Sequence, residues 1–174
     1  MTVFSVILFI HLVGALTLFA GMGLEWRALR YFGLAGTVEE LRMWTGAASV
    51  LPALNGIAAA AILLPGFYLA AKLMVWPQGW ISISLLATFA IAGLGMAVTG
   101  PRTRALRKAV AEGSGALPED IRQKARASGL RVSFRLRVWL GLGIVLLMAS
   151  RPGMVTSLVV IGVAIAAGLL LSWI

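Results

Sequence analysis

The 174 residues contain one histidine, His11, and no cysteine. The missing thiols remove disulfides, thiolate zinc sites, iron–sulfur clusters and a cysteine nucleophile together. His11 lies within Phe4 to Arg27, FSVILFIHLVGALTLFAGMGLEWR. An ionisable ring in so apolar a stretch reads by default as a haem or metal ligand or a proton carrier. The plainer alternative is a neutral imidazole hydrogen-bonded to a neighbouring helix, for instance to Asn55 or to a serine of the third span. With a single histidine, a second axial haem ligand would be methionine or nothing. Met148, Met154 and Met74 are expected near the same side as His11, so His–Met ligation of haem or Cu(I) is one reading. Methionine as a gap filler is the other. Glu25, next to Arg27 and Arg30, reads as a local ion pair at a membrane boundary or as a proton-transfer group.

These groups share a pattern. From His11 the positions Gly14, Leu18, Gly21 and Glu25 follow at spacings of three and four, which places them on one helix face. Lipid would accept the other faces, so this stripe is expected to face protein. Asn55, within a second apolar run, is expected to do the same. Gly14, Gly21, Gly93 and Gly162 read as positions where helices approach closely. The serines and acids of the basic 100–137 segment show no nucleophile–base spacing, and no Gly-rich phosphate-binding loop occurs anywhere.

The elements that position these residues follow from composition. Apolar residues make up 60% of the chain, charged residues 12%, and the mean hydropathy is +0.97. A soluble domain of this length cannot hide that much apolar surface, so lipid is the solvent for most of it. The expected fold is an all-α, polytopic transmembrane bundle in one domain. Its five spans are placed at about 4–24, 46–71, 81–99, 136–149 and 154–174.

The 25–45 segment, with glycines at 33 and 36 as breaks, reads as a short interfacial helix and turn. Pro52 predicts a kink near Ser49 to Pro52. Lys72, Trp76, Pro77 and Trp80 predict a tight turn at an aqueous interface. The Ser150-Arg151-Pro152-Gly153 break leaves a short fourth span, with Arg135 and Arg137 snorkelling to lengthen it.

The net charge of +9 is concentrated between spans. The 25–45 and 100–137 segments hold 13 of the 15 Lys and Arg. That bias reads as topology and attraction to anionic lipid at a basic cytoplasmic loop (100–135), not nucleic-acid binding. It places the N-terminus outside and the C-terminus in the cytoplasm. Thr103–Glu112 and Pro118–Ser133, separated by Gly113-Ser114-Gly115, read as surface helices on the membrane boundary. The apolar run at the N-terminus reads as a retained span, since no Lys or Arg precedes it.

The pattern His11, Phe19-Ala20-Gly21 and Arg27 resembles the opening helix of the HemJ-type protoporphyrinogen oxidases and of related CopD-like and uncharacterised small bacterial membrane proteins. Met148-Ala149-Ser150-Arg151-Pro152 and the Gly79-Trp80 turn are similar to segments of the uncharacterised members. The resemblance implies a bacterial inner membrane and a haem-associated role for His11. The HemJ-type lysine after the tryptophan of the third span has no counterpart, since Ser82 and Ser84 follow Trp80. Protoporphyrinogen oxidation is therefore not implied.

The functional expectation is a non-catalytic membrane subunit or scaffold, working as a homo-oligomer or beside a partner membrane protein, with haem at His11 as the candidate cofactor. A His11-ligated haem oxidoreductase and a carrier or channel for a small ligand or copper are the alternatives. An enzyme proper would need more interior polar groups than this chain offers.

Overall fold

The computed structural model describes residues 2–76 and 78–170; Pro77 and the last four residues of the expected fifth span lie outside them. The described chain is helical almost throughout. Helix α1 is Val3–Leu34, α2 is Val38–Ala48 and α3 is Leu51–Lys72. Helix α4 is Gly79–Leu94, followed without a break by a π-helical turn, Gly95–Thr99, and by α5, Gly100–Ala109. Helix α6 is Glu119–Ala125, α7 is Ser128–Ser150 and α8 is Met154–Leu170. Among the described residues, four helical stretches are long and apolar enough to cross a membrane, and α8 is apolar over the 17 residues described. The chain is thus an all-α, multi-pass membrane protein.

Thr2 caps α1, accepting from the Ser5 amide, and 32 residues then run unbroken. That is about 48 Å, well beyond a hydrocarbon layer of about 30 Å. The expected break at Gly33 does not occur. A glycine costs a helix only about 1 kcal/mol relative to alanine, and Phe32, beside it, is almost fully buried. The chain turns at Ala35 to Thr37, at the second expected break, Gly36, where Thr37 caps α2 and Glu40 accepts from the Gly36 amide. It turns again at Ser49 and Val50 before Pro52 opens α3, so that a full turn stands where the proline predicts a kink.

Helix α3 packs along α1, α7 lies between α4 and α8, and α1 also reaches α7. Gly14 makes the first contact possible, because a Cβ there would sit 2.9 Å from the Ala61 backbone. Toward the same end of the bundle, Gly79 meets Met154 as closely. Arg151 takes a left-handed conformation (φ 48°) to end α7 before Pro152.

The short fourth span is corrected. Helix α7 starts at Ser128, eight residues earlier than expected, so length is not a problem. Arg137 does not snorkel: it is 4% exposed and sits inside the bundle.

The basic segments also do more than lie on a boundary. Phe32, Leu41, Leu106, Val110, Leu117, Ala125 and Leu130 bury one another in a compact cap formed by the end of α1, by α2 and α5, by α6 with the segment before it, and by the start of α7. The Arg42 guanidinium donates to Val110 O (2.7 Å) and Gly113 O (2.6 Å). Gly113 and Gly115 hold positive φ in this turn, and the Gly115 amide donates to Glu39. Arg126 donates to Gly33 O (2.9 Å).

Candidate functional site

Two polar sites interrupt the apolar interior, one toward each end of α1. At the first, the buried His11 ring meets α3. Its Nδ1 lies 2.8 Å from Ile62 O. A carbonyl only accepts, so Nδ1 is the donor in this bond and Nε2 is left outside it. Pro65 follows in α3 and has no N–H to give the carbonyl of Ala61, four residues back and next to Ile62. Gly66 leaves room for the ring, with a Cβ there 3.3 Å from His11 Cε1.

His11 lines a cavity of about 60 Å³ together with Ser84, Thr88, Met148, Phe67 and Trp76. Phe67 and Trp76 stack at 5.7 Å. Thr88 donates to Ser84 O, while the buried Ser84 Oγ has no partner. A water needs about 10–15 Å³ of such space, so the cavity suits a few waters or one small polar molecule.

A haem does not fit. Clefts that bury drug-sized ligands measure about 300–1,000 Å³, and Gly66 already brings α3 against the imidazole. Of the three candidate methionines only Met148 lines the cavity. Met154 packs on Gly79, and Met74 is 84% exposed in the turn after α3. Among the described residues no group of three His, Asp or Glu is placed to hold a metal.

The second site corrects the reading of Glu25. Its carboxylate does not pair with Arg27 or Arg30. It receives both terminal nitrogens of Arg137 from α7: Nη1 donates to Oε2 at 2.9 Å and Nη2 to Oε1. Nη2 also donates to Thr99 Oγ1 (3.0 Å) and Nε to Ser133 O (3.3 Å). Thr99 and Ser133 share a hydrogen bond of 3.2 Å, and Ser133 reaches Leu94 O.

The π-helical turn belongs to this arrangement. Its last residue, Thr99, is turned toward the guanidinium, and Gly95 opens space beside Arg137 Nη1. The pair is bidentate, enclosed and nearly saturated with hydrogen bonds, which is the geometry of a lock rather than of a proton carrier.

Between the two sites, Gly21 faces Asn55. A Cβ at Gly21 would lie 2.7 Å from Asn55 Oδ1, which is buried without a hydrogen-bond partner. The α1 stripe of His11, Gly14, Gly21 and Glu25 is thus buried against α3 and α7. Gly93 and Gly162 are different: nothing lies within 4 Å of a Cβ at either.

Sequence reasoning did not place Arg137, Thr99, Ser133 or Gly66 in a site, and it offered Ser84 only as one of the third-span serines that could meet His11. Ser84 and Thr88 carried a faint signal, being one turn apart on an apolar helix. Comparison with protein-family models, curated proteins and solved structures finds no match to this chain.

Proposed function

We propose that this chain is a non-catalytic subunit of a larger assembly in a bacterial inner membrane. The observation that carries this reading is a set of glycine–alanine pairs, one turn apart, whose glycines have open space where a side chain would stand. Gly56 with Ala60 on α3, Gly93 with Ala97 on α4 and Gly162 with Ala166 on α8 have open space above the glycine. The alanine of each pair is exposed. Within one chain such glycines only weaken the helix, by about 1 kcal/mol each. Against another helix they let two backbones approach and gain van der Waals contact that lipid does not supply.

The interior supports the same reading. Glu25 and Arg137 are consumed by each other, and His11 Nδ1 by Ile62 O. With the 13 basic residues of the 25–45 and 100–137 segments taken as cytoplasmic, the packed cap faces the cytoplasm and the His11 cavity the outer half of the membrane.

The absence of cysteine makes the test direct. A single cysteine at Ala60, Ala97 or Ala166 can be introduced without removing a native thiol, and cross-linking performed in intact membranes. A disulfide-linked pair, or a link to a second protein, at one of these faces is expected. Failure to cross-link at all three, with a single-chain mass in native lipid discs, would refute the proposal.

A further inference from the structure

We propose that Arg27 and Arg30, each lying across an aromatic ring near the C-terminal end of α1, bind the phosphate of an anionic phospholipid. The argument begins with which cations are available. Arg42 and Arg126 are spent on backbone carbonyls, Arg137 on Glu25, Arg122 on Glu119 and Lys124 on Asp120. Arg27 and Arg30 have no carboxylate partner among the described residues. The acids at the start of α2 cannot serve them easily, since Glu39 accepts from the Gly115 amide and Glu40 from that of Gly36.

The two arginines are nevertheless held. Arg27 lies over the Tyr31 ring at 5.8 Å and Arg30 over Trp26 at 5.7 Å. Tyr31 is itself stacked on Trp44 from α2, with centroids 4.1 Å apart and planes within 2°. Cation–π contact orients a guanidinium while leaving its N–H edges free for phosphate oxygens. Residues three apart on a helix lie on neighbouring parts of one face, so both edges can serve one headgroup.

Depth fits as well. Twenty residues of α1 from Val3 fill the hydrocarbon, which puts Arg27 and Arg30 about 7 and 12 Å beyond it along the axis. Arg30 reaches back one turn toward the membrane to cover Trp26. Trp26, Tyr31 and Trp44 are the side chains that favour headgroup depth, and Trp26 and both arginines are exposed. Charge complementarity then selects an anionic lipid over a zwitterionic one.

The test is native mass spectrometry of the full chain released from detergent, with phosphatidylglycerol or phosphatidylcholine added. The native protein should retain phosphatidylglycerol in preference. Each arginine near an anionic surface contributes about five-fold to binding, so R27Q/R30Q should lower the preference about thirty-fold. The singles R27Q and R30Q should each lower it about five-fold, and they serve should the double variant not fold. R104Q/R107Q, which removes two exposed arginines of α5 that are not held over an aromatic ring, should change it less than about two-fold, because a single headgroup is bound only where the guanidinium edges are already oriented. Equal retention of the two lipids by the native chain, or an unchanged preference in R27Q/R30Q, would overturn the proposal. So would an equal loss in R104Q/R107Q, which would leave only diffuse charge. Displacement of the lipid by excess inorganic phosphate would make the ledge a site for the free ion and overturn it too.

Discussion

Replacing Glu25 by Gln should cost more stability than removing both members of its ion pair. In the native chain the Arg137 guanidinium is 4% exposed and Glu25 equally so. At about 4 Å between charges and an effective dielectric near 20, their attraction is of order 4 kcal/mol. Gln keeps the shape and one acceptor but leaves the guanidinium charge uncompensated inside the bundle. Breaking one partner of such a pair costs about 3–5 kcal/mol.

The double variant E25L/R137L behaves differently. It removes both charges, and Thr99 and Ser133 still bond to each other. Apolar replacement of a buried pair ranges from neutral to stabilising by about 1–4 kcal/mol. Thermal unfolding in mild detergent reads the difference. With about 2–4 °C per kcal/mol for a chain of this size, E25Q should melt roughly 6–20 °C below the native protein. E25L/R137L should recover most of that loss. An E25Q variant within about 3 °C of native would refute the lock, and so would a double variant no better than E25Q.

Other expectations follow from single contacts. Gly14→Leu should destabilise by more than about 1–3 kcal/mol, because its Cβ alone would stand 2.9 Å from the Ala61 backbone; Gly162→Leu, facing open space, should leave the melting temperature of the detergent-solubilised chain nearly unchanged. His11→Ala should cost about 1–3 kcal/mol by leaving Ile62 O without its side-chain donor, measured by the same melting curve. Protein expressed with ample haem should show a flat visible spectrum in oxidised and dithionite-reduced forms, since the cavity beside His11 is about 60 Å³; a Soret band lost in His11→Ala would overturn the size argument. Arg42→Ala frees the carbonyls of Val110 and Gly113, and limited proteolysis should then cut faster near Ser114.

How much of this was legible in the sequence depends on whether a feature is local. The hydropathy of the apolar runs specified an all-helical, multi-pass protein. The spacing from His11 to Glu25 marked one face of α1, because residues three and four apart must share a side whatever surrounds them. The interruption before Pro52 and the stop at Arg151-Pro152 were readable because proline acts on its own backbone. The partner of Glu25 was not readable: Arg27 and Arg30 stand close in sequence, whereas Arg137 is 112 residues away and depends on how α7 packs. Arg137 also looked like an ordinary snorkelling residue, since the run that follows it is apolar and the π-helical turn that presents Thr99 leaves no mark in composition.

The packed cap was hidden for a related reason. Arginines that bond backbone carbonyls, such as Arg42 and Arg126, carry the same charge as arginines that face lipid. Counting charge cannot separate the two. The buried Phe32, Leu41 and Val110 were present in the sequence but scattered over three segments, with no periodicity to join them.

The 112-residue separation within the ion pair also has a meaning in time. A ribosome adds about 5–20 residues each second, so α1 emerges roughly 6–22 s before Arg137 exists to meet Glu25. During that interval the carboxylate must be tolerated without its partner. Glu25 lies a few residues past the point where α1 has filled the hydrocarbon, close enough to headgroup water to remain solvated while it waits. Arrival of α7 then withdraws it from water and fixes the first helix against the last third of the chain, so the bundle is fastened only once nearly all of it has been made.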